Sequence, residues 1–102
     1  MSPKAEARYM GKVASLGCIL CRMQAEHFGI PFEPDPASTA IHHIRHGQGM
    51  SQRAANYLVV GLCEAHHTGT HGIHGDRMAL KNLKIDEMDL LAEVIKLLQE
   101  QA

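Results

Sequence analysis

Two short segments, far apart in the chain, constrain its fold more than any other feature. Cys18-Ile-Leu-Cys21 and Cys63-Glu-Ala-His66 each set two soft ligands at a spacing that fits a tight turn. Thiolate and imidazole groups so spaced suit a tetrahedral Zn²⁺. A structural site of Cys18, Cys21, Cys63 and His66 would tie the N-terminal region to the middle of the chain, and its binding energy would be part of folding. With 102 residues the chain has room for one domain and a modest core, so such a staple matters. Three cysteines leave one over from any pairing, which argues against a disulfide framework. The expected setting is a reducing cytoplasm. No leader-like apolar segment follows Met1, and no apolar run is long enough to span a bilayer.

The chain carries eight histidines, and one structural zinc accounts for only one of them. His42-His43, His67, His71 and His74 ask for a second role. Residues 39–44 favour a short strand. Adjacent side chains on a strand face opposite sides, so one of His42 and His43 can ligate a metal while the other stays titratable, as a general base must. From Cys63 a short helix is expected, interrupted by Gly69 and Gly72. On a helix, His67, His71 and His74 share one face, and His66 lies about 100° around from His67. His66 can then serve the cysteine zinc and His67 a separate metal.

The remaining elements follow from periodicity and punctuation. Residues 4–16 read as a helix with Ala7, Met10, Val13 and Leu16 along one face, stopped by Gly17. Residues 29–38 hold three prolines and form a loop. Residues 46–51, with Gly47 and Gly49, read as a flexible connection. Residues 57–62 form the second strand, ending at Cys63. A short helix is expected over 77–83, then a long one capped by Asp86 and running to about residue 100. Its broad apolar face reads first as a packing surface and second as a dimer seam, which leaves monomer and homodimer both open.

Net charge is −1, without the global basic signature of a strong nucleic-acid binder. The charge is uneven, however. Residues 86–102 hold one Lys and five acids, net −4, and residues 1–85 hold nine Lys/Arg and six acids, net +3. Arg45, His46 and Arg53 flank the histidine pair and are candidate phosphate contacts. No basic stripe interleaved with aromatics is present, so weak intrinsic DNA affinity is expected.

Strand, glycine loop, strand, knuckle and histidines in this order resemble the HNH, or ββα-metal, endonucleases. The resemblance covers residues 18–74. The strings His42-His43-Ile-Arg, Leu-Cys63-Glu-Ala-His66-His67-Thr-Gly and Gly-Ile-His74-Gly look closest to a small phage and prophage branch, that of the RecA-dependent nuclease Ref and the YbcO-type prophage proteins. Asp86-Glu-Met-Asp-Leu-Leu-Ala92 looks like the tail of that branch.

The resemblance implies an α+β fold with a small zinc-stabilised ββα-metal core and flanking N- and C-terminal helices. It implies metal-dependent hydrolysis of DNA phosphodiesters in phage or prophage recombination, with a RecA-type filament as a partner that delivers DNA. His43 matches the general base and His42 the adjacent metal ligand. His67 matches the first ligand after the knuckle. The second is His74 by the glycines around it, with His71 as rival by its four-residue spacing. Asn56, seven residues before Cys63, matches the middle residue that braces the base. The second, catalytic metal would be Mg²⁺, Mn²⁺ or Zn²⁺, and a mostly imidazole site fits Mg²⁺ least. The rival reading is a non-catalytic zinc module that binds DNA or protein and needs only the cysteine site. An inactive prophage remnant would likewise keep its zinc and cleave nothing.

Overall fold

A computed structural model describes residues 2–45 and 55–101. The expected glycine connection, with His46 and Arg53, lies outside the described residues. Five α-helices and two strands are formed among the described residues, so the fold is α+β. Helix α1 spans Pro3–Ser15, and Ser2 caps it by accepting the Ala5 N–H at 3.2 Å. It stops where the sequence suggests, at Gly17 in the left-handed region (φ 76°).

Helix α2, Ile19–Phe28, is an element the sequence reading missed. Cys18 is its N-cap, and the sulfur accepts the Cys21 N–H at 3.3 Å. The first knuckle is therefore the start of a helix. A short 3₁₀ turn, Pro36–Ser38, interrupts the proline loop and leads into β1, Thr39–His43.

Strand β2 spans Val59–Cys63 and pairs antiparallel with β1, His43 opposite Val59 and Thr39 opposite Cys63. It starts later than expected, because Tyr57 and Leu58 belong to the turn that precedes it. Helix α3, Glu64–His67, follows at once with Cys63 as its N-cap. Helix α4 spans Met78–Leu83 and α5 spans Glu87–Gln101. Asp86 Oδ1 accepts the Asp89 N–H at 3.0 Å and Asp89 Oδ2 accepts the Asp86 N–H at 2.9 Å, a reciprocal cap for α5.

Helix α1 lies across both strands, α3 packs against both, and α5 packs on β2, α1 and α2. The approach of α1 depends on Gly61, where a Cβ would meet Thr39 Cγ2 at 2.8 Å and the Gly17 carbonyl oxygen at 2.9 Å. Val13, Leu16, Ile19, Leu20, Val59, Val60, Leu62, Leu90, Leu91 and Val94 form one buried cluster. Burial of a large aliphatic side chain stabilises by about 1.5–3 kcal/mol. Helix α5 thus packs inward, while Met88 and Ile95 stay exposed. No helix among the described residues is long and apolar enough to cross a membrane.

Candidate metal centre and base

The cysteine site assembles from two helix starts. Cys18 and Cys21 come from the first turn of α2, Cys63 from the end of β2, and His66 from α3. His66 Nδ1 lies 3.4, 3.3 and 3.4 Å from the sulfurs of Cys18, Cys21 and Cys63, and Cys21 Sγ lies 3.7 Å from Cys63 Sγ. A tetrahedral zinc with ordinary bond lengths has S···S edges of about 3.8 Å and S···N edges of about 3.5 Å. The donor set and its spacing therefore fit a structural metal such as zinc, with Nδ1 as the histidine donor.

The protonation pattern of the bare thiols makes the same point. The hydrogen bond from Cys21 holds the Cys18 thiol down to about 4 against the opposing effect of burial, with further help from His66 and backbone N–H groups. The same bond, with burial and the nearby sulfurs, pushes the Cys21 thiol up. One thiolate suppresses the next where no cation neutralises them. A metal would supply that charge and let all three ionise.

A second cluster lies on the other side of α3. His42, His67 and His74 bring one nitrogen each within 4.8 Å of the others. Their ring centroids are 5.3 Å apart for His42 and His67, 5.0 Å for His42 and His74, and 4.8 Å for His67 and His74. His42 is 7% exposed, and its Nε2 is buried without a hydrogen-bond partner. Burial, the largest effect, pushes its imidazole down to about 4, against the pull of Glu87, and His74 and His67 add to the depression. Burial and His74 also lower His67. The buried, unpartnered Nε2 of His42 is a donor that a bound cation could satisfy.

The way His74 arrives differs from expectation. The shared helical face of His67, His71 and His74 does not form, because α3 stops at His67. Residues 68–77 wind back on that short helix instead. Ile73 N–H donates to His66 O at 2.8 Å and His74 N–H to His67 O at 3.0 Å. Gly72 makes this return possible, since a Cβ there would sit 2.6 Å from the His66 carbonyl oxygen. His71 points elsewhere, with Nδ1 3.1 Å from both carboxylate oxygens of Asp76. The structure therefore groups His74, and not His71, with His42 and His67.

His43 reaches the turn that precedes β2. Its Nε2 lies 2.9 Å from Asn56 Oδ1. A cleft of about 400 Å³ is lined by His43 and by His42 and His74 of the cluster, with Arg45, Arg77 and Glu87. Arg77 and Glu87 were not anticipated. They form an ion pair, and the other carboxylate oxygen of Glu87 is 3.9 Å from His42 Nε2. A Gly-Asp-Arg string and an acidic helix start carry no spacing that marks them as site residues.

No family model, no curated protein and no solved structure matches this chain.

Proposed function

We propose that this protein is a metal-dependent DNA endonuclease of HNH type, in which β1, β2 and α3 form a ββα-metal core. The observation that carries this reading is one cleft shared by His43, which Asn56 braces, and by His42 and His74 of an open three-histidine cluster. A structural zinc site is closed by four protein ligands, whereas a catalytic one keeps a position open. Cys18, Cys21, Cys63 and His66 fit the first description. His42, His67 and His74 fit the second, with His74 on the exposed side.

A divalent metal held by those three histidines would supply charge to stabilise the scissile phosphate and its departing oxygen. The chain itself supplies the rest. His43 donates Nε2–H to Asn56, which leaves Nδ1 to accept a proton from the attacking water. Arg77 and Arg45 lie where phosphate oxygens would enter the cleft. Modest net charge favours delivery of DNA by a partner, and a RecA-type filament is the one the resemblance implies.

The test is cleavage of supercoiled and single-stranded DNA with Mg²⁺ or Mn²⁺, with and without a RecA filament. Cleavage by the wild type and none by a folded His43→Ala variant is the expected result. A folded, metal-loaded wild type that cuts under no condition would leave the zinc binding module as the better reading.

A further inference from the structure

Helix α1 lies outside the hairpin and α3, yet it reaches the proposed base. Glu6 is half-buried on α1, and its Oε2 is 3.4 Å from Asn56 Nδ2. A carboxylate can only accept, so the edge of Asn56 that faces Glu6 is the NH₂ group. The other edge, toward His43, is then the carbonyl oxygen, which also only accepts. His43 must meet it with Nε2–H, and the lone pair is left on Nδ1.

Glu6 is the contact that orients the Asn56 amide. The two ends of an Asn amide are nearly the same size, and a neutral imidazole has two tautomers. Either amide orientation then satisfies His43 with one tautomer or the other. Helix α1 is held at this place by a second contact one turn along. The Tyr9 ring meets Tyr57, the residue after Asn56, with centroids 4.8 Å apart. Glu6 and Tyr9 on the helix thus pair with Asn56 and Tyr57 on the turn.

We propose that Glu6 is a positioning residue that sets the tautomer of His43 through Asn56 and keeps Nδ1 unprotonated. Its catalytic consequence rests on the nuclease reading, whereas its structural content does not. The test uses the zinc-loaded full chain with ¹⁵N-labelled histidine, at a pH where imidazole is neutral. Long-range ¹H–¹⁵N correlation reports which ring nitrogen bears the proton, and His43→Ala assigns the signal.

The wild type should show His43 protonated on Nε2 alone. Glu6→Gln keeps the size but offers either amide edge, so His43 should become a mixture of tautomers, with kcat down roughly tenfold and KM unchanged. Asn56→Asp combined with Glu6→Gln gives His43 an acceptor-only neighbour without a second carboxylate facing it, so His43 should return to protonation on Nε2 alone. His43 protonated on Nδ1 in the wild type, or unmoved by Glu6→Gln, would overturn the proposal. If the chain cleaves no DNA but the tautomer shifts as described, the nuclease reading fails and the role of Glu6 stands.

Discussion

His66 and His67 are adjacent in the chain and face different clusters. His66 Nδ1 sits among three sulfurs, and the His67 ring sits against those of His42 and His74. One turn of helix thereby joins a closed four-donor set to an open three-donor set. Disturbing one of them should leave a distinct signature in the other.

Cys21→Ala removes one of four donors and should cost roughly 5 kcal/mol or more, enough to exhaust the stability of a small domain. The expected outcome is loss of bound zinc together with far-ultraviolet helical signal, and chelation of the wild type should do the same. Zinc analysis and circular dichroism check it. A stable, zinc-replete variant would contradict the ligand set.

His74→Ala should keep the cysteine zinc and the fold but weaken binding of a second metal by at least ~100-fold. His71→Ala should bind both metals as the wild type does, because its ring faces Asp76. Titration with Co²⁺, read by its visible absorption, separates thiolate from imidazole sites. The opposite pattern would mean that residues 68–77 take another path in solution.

Gly72→Ala probes that path directly. The added methyl would collide with the His66 carbonyl. A stability loss of about 1–3 kcal/mol is expected. Second-metal binding should suffer more than zinc binding, since the return of His74 to His67 is what the methyl blocks. Unchanged thermal unfolding and metal content would contradict this.

Burial, and then the neighbouring Tyr57, push the Tyr9 phenol above its ordinary value of 10.0. The folded state therefore holds this proton more tightly than the unfolded chain. The contribution of neutral Tyr9 is fully present below about pH 10 and is lost as pH rises beyond it. Ultraviolet titration of tyrosinate should show Tyr9 ionising late, and earlier in Tyr57→Phe. Titration of Tyr9 at the ordinary value would mean that α1 is not anchored at the turn carrying Asn56.

The cysteine cluster was legible in the sequence because thiolate and imidazole are the donors zinc favours, and because the two-residue gaps survive whatever backbone carries them. The different partners of His42 and His43, the histidine cluster for one and Asn56 for the other, accord with strand alternation. The path to His74 was not legible. A helical reading puts His71 and His74 on one face, but Thr68 and Gly69 end the helix and hydrogen bonds from residues 73 and 74 close a different loop. Helix α2 was hidden because Cys18 serves at once as knuckle ligand and helix cap. Glu6 stands fifty residues from Asn56. No local pattern can announce a contact that only the packing of α1 creates.

The most direct test of the whole account is DNA nicking followed while a second metal is titrated into the zinc-loaded chain. Nicking of supercoiled plasmid by the wild type should rise with occupancy of the proposed His42, His67 and His74 site. His43→Ala should bind the same metal and stay inactive. Nicking by His43→Ala at the wild-type rate, or none by a fully loaded wild type, would contradict it.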